Sequence, residues 1–272
     1  MKLFSPQNRR ILTYAASGIL GCAAARQAAA GSFQSAHYFA MASTAALLLP
    51  TLIRNSRCFG SVTTDFSTSR REVWVTIDDG PHPENTPEIL EVLGNHGAKA
   101  TFFGIGRNIL QWPHLARAVI SEGHQLQNHT FHHQAGTFWA ALPTRVRKEI
   151  ELCNSAIRQT TGVESFQFRA PVGIANPFVH AAAEQVGLQM IGWSATGLDG
   201  IPHQPEGVVQ KILRNVRPGA IILIHEGSLP GLRKGVRAQT LDALLRKLSE
   251  NGYEAVVPSL ATHGATPLLG KS

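Results

Sequence analysis

From residue 72 onward, short apolar runs alternate with longer segments in which apolar residues recur at helical spacing. Most of the longer segments begin near a proline and several end at a glycine, as helices do. Strands are predicted at 73–77, 100–105, 124–128, 165–168, 188–193, 220–224 and 253–257, and helices at 87–96, 113–122, 143–160, 177–186, 205–216 and 240–251. This alternation implies a parallel sheet, and strands that are apolar almost throughout are typical of sheets covered on both faces. The fold class is therefore α/β, and a chain of 272 residues has room for a barrel or a doubly wound sheet.

The first 71 residues differ from this pattern in their charge. They contain eight of the 25 Lys and Arg residues but only one of the 18 acids, Asp65, whereas the rest of the chain holds 17 of each and has no net charge. A nucleic-acid-binding protein carries its basic residues on the folded body, so the formal charge of +7 does not indicate nucleic acid as a partner. The basic residues flank apolar segments instead, which points to a membrane surface.

Two uncharged runs lie within this basic region, one of 15 residues at 11–25 and one of 18 residues at 36–53. A membrane-spanning helix needs about 20 apolar residues, so the first run is short and the second is marginal. Three interpretations remain open. They are a membrane hairpin through residues 11–53, a secretory signal peptide with Ala28-Ala29-Ala30 as its cleavage site, and two alanine-rich helices packed on the main domain.

The positions of the basic residues predict the orientation of a membrane hairpin. Basic residues stand before the first run and after the second, and Arg26 is the one basic residue between them. Because positive residues stay in the cytoplasm, both ends and the main domain of a hairpin protein would face the cytoplasm. A cleaved signal or a single span would place the domain in the periplasm or outside the cell. The expected organisation is a hydrophobic segment at 1–60, a linker at 61–71, the main domain at 72–258 and a tail at 259–272.

Polar residues recur at the C-terminal ends of successive predicted strands. Active sites of parallel barrels form at that rim, and scattered polar residues would not return to the same end of one strand after another. The residues are Asp78 and Asp79 after the first strand, His129 and His133 after the third, Arg169 after the fourth, Asp199 after the fifth and His225 at the end of the sixth. This recurrence indicates an active site.

Two of these residues are candidate metal ligands. His129 and His133 are four residues apart, which predicts two imidazoles on one face of a helical turn, with His132 as a rival for either position. With one carboxylate of the aspartate pair they make a two-histidine, one-aspartate set, which leaves a position open for water as catalytic sites do. These ligands favour Zn²⁺, with Co²⁺, Mn²⁺ and Fe²⁺ as alternatives. A metal there would lower the pKa of its bound water from about 15.7 towards roughly 7 and polarise a substrate carbonyl.

The remaining polar residues supply acid–base chemistry. The glutamate of His-Glu-x-x-His proteases is absent because Thr130 follows His129, so the aspartate of the pair that does not bind the metal is the expected general base. Arg169 would orient that aspartate and keep it ionised. His225 would protonate the leaving group, and Asp199 would raise the pKa of that imidazole and fix its tautomer. Together these roles describe a metal-assisted hydrolase of an amide or an ester.

Four motifs of this chain, in this order, resemble those of the polysaccharide deacetylases, the NodB-homology domain of carbohydrate esterase family four. The motifs are Thr76-Ile77-Asp78-Asp79-Gly80, His129-Thr130-Phe131-His132-His133, Arg169-Ala170-Pro171-Val172-Gly173 and Leu223-Ile224-His225. The resemblance covers about residues 71–258 and implies a distorted (β/α)7 barrel, which agrees with the seven predicted strands. It also implies removal of acetyl groups from the N-acetylated amino sugars of a polysaccharide or an oligosaccharide. A lipid-linked glycan is the expected substrate of a domain that faces the cytoplasm, and peptidoglycan or another cell-surface glycan that of a domain outside.

The resemblance implies a role for each motif residue. Asp78 would be the catalytic base, tethered by Arg169, and His225 would be the catalytic acid. The metal ligands would be Asp79, His129 and His133, with His132 as a bystander. Leu223, with Pro171 and Val172, would line the pocket for the acetyl group.

Three positions depart from the family pattern. Val172 stands where tyrosine is common, Asp199 alone remains of a fourth motif whose tryptophan is missing, and Glu226 stands where aspartate is common. Altered groove residues indicate a substrate other than a plain chitin chain.

Two alternatives remain besides a deacetylase. One is hydrolysis of another amide, such as a formyl group on a sugar or a small cyclic amide, and the other is a non-catalytic carbohydrate-binding protein on the same barrel.

Overall fold

The structure, a computed structural model, describes residues 6–201 and 204–259. Apart from Ser259, the predicted tail lies outside this part of the chain. The described residues form the strands β1 (Glu72–Asp78), β2 (Ala100–Gly104), β3 (Gln125–Asn128), β4 (Gln167–Phe168), β5 (Gln189–Met190), β6 (Ala195–Thr196), β7 (Ile221–His225) and β8 (Glu254–Ala255). They also form the helices α1 (Pro6–Ala29), α2 (Phe33–Leu52), α3 (Asn85–Asn95), α4 (Gly106–Gln111), α5 (Pro113–Ser121), α6 (Pro143–Thr161), α7 (Pro177–Gln185), α8 (Pro205–Leu213) and α9 (Val236–Glu250).

The strands build one curled parallel sheet in the order β5-β4-β3-β2-β1-β7-β6, and β8 pairs with the first residues of β1. The last residue of β1, Asp78, lies beside Phe103 of β2 and beside His225 of β7. Because parallel neighbours end at the same edge of a sheet, the residues that follow these strands meet at one rim. Helices cover the outer face, so the α/β class is confirmed and the arrangement agrees with a distorted barrel.

The alternation of side chains along β1 explains how a carboxylate reaches the inside of this sheet. Val73, Val75 and Ile77 pack against the surrounding helices in the main hydrophobic core. The intervening residues face the interior, where Trp74 belongs to a second apolar cluster. Since successive strand residues point to opposite faces, Asp78 follows Trp74 on the inner side and ends at the rim.

The sequence predicts seven strands, and all seven are found in the structure. The further strand β6 has only two residues and therefore shows no apolar run. Helix α4 is also unpredicted, and α9 begins at Val236, four residues before the predicted start. Four helices begin with the proline that the sequence places near their start, namely α5, α6, α7 and α8.

The segment between α2 and β1, in which the sequence predicts a linker at 61–71, packs on the body of the protein. Thr63 forms a bridge with Ile191 directly after β5, and Asp65 forms one with Ala220 directly before β7. Phe59 is completely buried, upstream of these bridges. The segment therefore connects an edge strand of the sheet to the start of β7 instead of hanging free.

The two N-terminal apolar runs form a helical hairpin of α1 and α2. The helices meet through small polar side chains: the Ser17 hydroxyl donates to the Ser43 carbonyl at 3.1 Å, and the Ser43 hydroxyl donates to the Ser17 carbonyl at 2.9 Å. The hairpin also contacts the body, because Tyr14 stacks on Phe59 with ring centroids 6.2 Å apart. No helix in the described part of the chain has both the length and the hydropathy of a membrane span, so the predicted transmembrane helices are not confirmed.

Candidate active site

Two carboxylates lie at the rim where β1 ends. Asp78 is the last residue of the strand and is buried. Consecutive strand residues face opposite sides, but Asp79 has a left-handed backbone, with φ of 77°, that breaks this alternation. Both carboxylates therefore approach the same imidazole. The Nε2 atom of His129 is 3.6 Å from Asp78 Oδ2 and 3.6 Å from Asp79 Oδ1.

The loop after β3 carries both candidate ligand histidines, His129 and His133, and it is not the helical turn that their spacing predicts. Thr130 and His133 have left-handed φ angles of 66° and 52°. Hydrogen bonds hold this shape, because Asn128 Oδ1 accepts from the Thr130 N–H at 2.8 Å and the Thr130 hydroxyl accepts from the His133 N–H at 3.1 Å. The imidazoles of His129 and His133 nevertheless meet, with ring centroids 4.6 Å apart.

His129 has the tautomer and the orientation that a metal ligand needs. Its Nδ1 atom is 2.7 Å from the carbonyl oxygen of Arg169, which can only accept, so Nδ1 carries the proton and Nε2 presents a lone pair. Burial lowers the pKa of His129 well below its ordinary value of 6.5, and the neighbouring His133 lowers it further. The imidazole is therefore neutral at pH 7.

Asp79, His129 and His133 form a set that fits a divalent ion. Their candidate ligand atoms all lie within 4.8 Å of one another, and His133 Nε2 is 3.3 Å from Asp79 Oδ1. Asp79 Oδ1 is buried and has no hydrogen-bond partner in the described part of the chain. A buried oxygen in that state is costly, and a cation beside it would remove the cost. His132 lies outside this converging set, and its Nδ1 atom is 2.7 Å from Glu149 Oε1.

Arg169 follows β4 and is enclosed on all sides. Its Nη1 atom donates to Asp78 Oδ1 at 2.7 Å and to the Thr76 hydroxyl at 2.8 Å. Its Nε and Nη2 atoms donate to the carbonyl oxygens of Ile191 and Gly192, at 3.2 Å and 2.9 Å. A guanidinium with these partners stays charged, and its bond to Asp78 Oδ1 fixes the orientation of that carboxyl group.

A histidine–aspartate pair lies on the other side of the rim. His225 Nδ1 is 2.8 Å from Asp199 Oδ1, and Asp199 Oδ2 accepts from the His225 N–H at 2.7 Å. Burial lowers the pKa of His225, but the Asp199 carboxylate outweighs this effect, with further contributions from Asp79 and Asp78, and the pKa is raised to about 9. Burial raises the pKa of Asp199, but the charge of His225 outweighs it and the net shift is downward. At pH 7 the imidazole is therefore protonated.

Arg237 supports this pair, although the sequence pattern does not indicate it. Its Nη1 atom donates to the Asp199 carbonyl at 2.8 Å and to Asp199 Oδ2 at 3.2 Å, and its Nη2 atom donates to the Gly227 carbonyl at 2.9 Å. Asp199 thus has a cation on each side. The sequence predicts a helix that starts at 240, which leaves Arg237 in the preceding loop and hides its place in the first turn of α9.

The predicted pocket residues lie on the same rim. Leu223 is two residues before His225 on β7, so it faces the interior with that histidine, and it is buried. Pro171 is buried as well, whereas Val172 is 40% exposed and has a φ angle of 53°, which is rare for a β-branched residue. Leu198, which precedes the carboxylate partner of the histidine, is 49% exposed.

Comparison with known proteins places these motifs in a family context. The model of the family described as polysaccharide deacetylase matches residues 66–191. The chain is 34% identical to the chitooligosaccharide deacetylase of Azorhizobium caulinodans over 208 residues, which cover 72% of this chain and 91% of that protein. It is 32% identical to the peptidoglycan-N-acetylglucosamine deacetylase of Bacillus cereus over 206 residues, which cover 74% and 92%.

A solved structure shares the fold. The CE4 family pseudoenzyme BA3943 from Bacillus anthracis superposes with a TM-score of 0.65 at 26% identity, covering 72% of this chain and 66% of that one. A fold match alone therefore does not separate an enzyme from an inactive relative. Whether a protein with this fold is an enzyme or an inactive relative depends on the side chains at the rim.

Proposed function

Because the chain belongs to the polysaccharide deacetylase family, we propose that it is a metal-dependent hydrolase that removes acetyl groups from N-acetylated amino sugars. The bond cleaved is a carbon–nitrogen bond other than a peptide bond. One observation carries this proposal. A buried aspartate bound to an arginine, a carboxylate oxygen facing two imidazoles, and a histidine held by another buried aspartate stand together at one rim. A protein that only bound sugars would need none of these three features.

Asp79, His129 and His133 are the proposed metal ligands. Two imidazole nitrogens and one carboxylate oxygen suit Zn²⁺ best, with Co²⁺, Mn²⁺ and Fe²⁺ as alternatives. When bound, the ion lowers the pKa of a coordinated water and polarises the acetyl carbonyl. The hydrogen bond from His129 Nδ1 to the Arg169 carbonyl keeps the ring in the ligating orientation.

Asp78 is the proposed catalytic base. Arg169 occupies its Oδ1 atom, while its Oδ2 atom lies 3.6 Å from His129 Nε2 and so faces the ligand set. As the water oxygen bonds to the acetyl carbon, Oδ2 takes the proton that the water releases. The backbone N–H of Val172 is the proposed donor to the carbonyl oxygen that becomes negative in this step.

His225 is the proposed catalytic acid. When the carbon–nitrogen bond breaks, its protonated imidazole transfers a proton to the sugar nitrogen, which leaves as a free amine alongside acetate. A pKa of about 9 keeps this proton in place at pH 7. Solvent then removes the proton from Asp78 and restores the one on His225. Leu223 is the proposed contact for the acetyl methyl group, as an apolar side chain on the same face of β7.

We propose further that the substrate is amphiphilic, such as a lipid-linked glycan. The loops next to the rim carry exposed aliphatic side chains: Val172 at 40%, Leu198 at 49% and Ile201 at 60% exposure. An apolar surface beside a polar site fits a sugar that bears an apolar group, and this surface stands where the family pattern has aromatic groove residues.

The N-terminal hairpin borders this apolar surface. The Asn55 N–H donates to the Gly173 carbonyl at 2.8 Å, and the Asn55 side chain donates to the Trp193 carbonyl at 3.1 Å. Gly173 follows Val172 directly, and Asn55 follows Ile53 after one residue. The exposed end of α2 and the exposed Val172 at the rim are therefore close to each other. A substrate whose lipid part lies in a membrane against α2 could place its sugar in the site at the same time.

We propose that residues 11–53 contact a membrane surface and that the catalytic body lies on its cytoplasmic face. The hairpin exposes large apolar side chains on both of its helices, and most of the excess positive charge of the chain lies in or next to it. Co-sedimentation with vesicles of anionic lipid, but not of neutral lipid, is expected. The orientation can be tested with a C-terminal fusion to a reporter enzyme that works only outside the cytoplasm. Activity of that reporter would overturn the proposed orientation.

Acetate release by the full-length, metal-loaded protein tests the proposed activity. Candidate substrates are a chitooligosaccharide, a peptidoglycan fragment and an N-acetylglucosamine linked to a polyprenyl carrier, with products identified by mass spectrometry. We expect deacetylation, with the polyprenyl-linked sugar turned over best, and turnover slower by about 10³-fold in Asp78→Asn. Release of formate alone, from N-formyl sugars, would make the enzyme a deformylase. Sugar binding without any release would make it a non-catalytic protein.

A further inference from the structure

Glu226 carries a buried carboxyl group that has no role in the proposed reaction. It follows His225 directly and is 1% exposed. Its N–H donates to the Asp78 carbonyl at 3.0 Å, and its carbonyl accepts from Asn85 Nδ2 at 2.6 Å. The main chain of Glu226 is thus fixed to the end of β1 on one side and to the start of α3 on the other.

The side chain of Glu226 is anchored through Thr86. The Thr86 hydroxyl donates to Glu226 Oε2, and the same hydroxyl accepts from the His82 N–H at 2.7 Å. His82 lies three residues after Asp79, between β1 and α3. One threonine therefore connects the carboxyl group to the segment that follows a proposed metal ligand.

The carboxyl group fills the space beside Gly80. A Cβ atom built on Gly80 would lie 1.6 Å from Glu226 Oε1 and 2.3 Å from its Cδ atom, and the three atoms nearest to that Cβ all belong to Glu226. The next residue packs equally closely, because a Cβ atom on Gly227 would lie 2.9 Å from the Cβ atom of Asp79. The chain after β7 therefore supports Asp79 and Gly80 from behind.

Asp79 needs such support. Its φ angle of 77° is unfavourable for a non-glycine residue and persists only when the surroundings hold it. The Oε1 atom of Glu226, in contrast, is buried without a hydrogen-bond partner among the described residues, so the side chain does not contribute through a complete hydrogen-bond network. The Glu226 side chain therefore supports Asp79 mainly by packing closely against Gly80.

We propose that Glu226 is a positioning residue for Asp79. Anchored by Thr86, its side chain holds Gly80 and so keeps the Asp79 carboxylate in reach of His129 and His133. The proposal rests on the metal site proposed above. Glu226, which follows the proposed catalytic acid His225, would thus affect metal affinity through a contact between the end of β7 and the end of β1.

Metal affinity of the full chain tests this role, measured by titration of the metal-free protein with Zn²⁺ against a chromogenic chelator. Glu226→Ala is expected to weaken Zn²⁺ binding by about tenfold or more, as loss of a supporting residue does. Glu226→Gln keeps the shape and the acceptor for Thr86, so its affinity should stay within about threefold of the original protein. Glu151→Ala, on the exposed face of α6, is the matched control and should change nothing.

A second pair of variants tests the contact itself. Gly80→Ala introduces a methyl group that would clash with the Glu226 carboxyl group, and it should weaken Zn²⁺ binding strongly. In Gly80→Ala/Glu226→Ala that methyl group has room, so the double variant should bind Zn²⁺ more tightly than Gly80→Ala alone. Should Gly80→Ala fail to fold, recovery of a folded protein in the double variant is the corresponding result, with circular dichroism as the measurement.

The outcomes separate this inference from the proposed function. If the unaltered protein binds no divalent ion, the metal site itself is wrong. If it binds Zn²⁺ and Glu226→Ala binds Zn²⁺ equally well, or if the double variant gives no rescue, then the positioning role of Glu226 is wrong and the proposed hydrolase stands.

Discussion

The pairing of His225 with Asp199 predicts how the rate of the enzyme depends on pH. The proposed acid must be protonated, so the rate falls as the pH rises through the pKa of His225, which is about 9. Asp199→Asn removes the charge that raises this pKa and keeps an oxygen that can accept from Nδ1 at the present distance of 2.8 Å. The alkaline limit of kcat is therefore expected to move to lower pH.

The size of the effect follows from the two pKa values. At pH 7.5 a pKa of about 9 leaves roughly 97% of the imidazole protonated, whereas the ordinary value of 6.5 would leave about 9%. With 6.5 as the pKa in the absence of the Asp199 charge, the loss is about tenfold at pH 7.5 and disappears near pH 5.5. Burial lowers the pKa of His225 and would deepen this loss, whereas Asp79 and Asp78 raise the pKa and would reduce it, with a smaller contribution from Asp79 when a cation lies beside it.

The assay is acetate release at saturating substrate between pH 5.5 and 10, with the position of the alkaline limb as the readout. Loss of a hydrogen bond to Arg237 or to the His225 N–H lowers the rate at every pH and does not move the limb. Asp242→Asn is the control, because Asp242 forms a similar pair with His96 at 2.8 Å away from the rim. A folded Asp199→Asn protein with its limb at the original pH would refute the assignment of His225 as the acid.

Three further predictions follow from contacts at and near the site. Asp78→Asn should keep bound metal but lose activity by about 10³-fold, whereas His133→Ala should lose both, as measured by metal analysis and acetate release; metal-free Asp78→Asn would contradict the separate roles. Arg169→Met leaves a buried carboxylate without its partner and should lower the free energy of unfolding by about 3–5 kcal/mol in urea titrations, so an unchanged midpoint would count against the buried ion pair. Phe59→Ala should cost about 3–5 kcal/mol by the same measurement, and no loss of stability would count against tight packing of the segment between α2 and β1 on the body.

The periodic part of the fold is predictable because burial on both faces requires continuous apolar strands. Elements that depend on single close contacts are not predictable in this way. Helix α4 begins at Gly106, a residue that normally interrupts a helix, because a Cβ atom there would lie 2.5 Å from the ring of Phe131. Strand β6 has two residues and is defined by its pairing with β7, which leaves no trace in the local sequence.

The candidate site could be predicted to the extent that strand ends define it. The convergence of Asp79, His129 and His133 follows from their positions after β1 and β3 in a parallel sheet. The shape of the histidine loop does not, because two left-handed residues replace the expected helical turn. Arg237 and Glu226 act through contacts with residues distant in the chain, and neither lies in a local pattern that would indicate such a contact. The catalytic roles themselves stay predictions.

The bridges that Thr63 and Asp65 make with the sheet have a consequence for how this protein can be divided. The regular alternation of strands and helices begins at β1, which invites a cut at residue 72 when the barrel is to be grafted onto another protein. Such a cut would strip the ends of β5 and β7 of their neighbour and uncover the surface beneath Phe59. A transplantable unit therefore begins near residue 55, ahead of the first strand that its repeating pattern reveals.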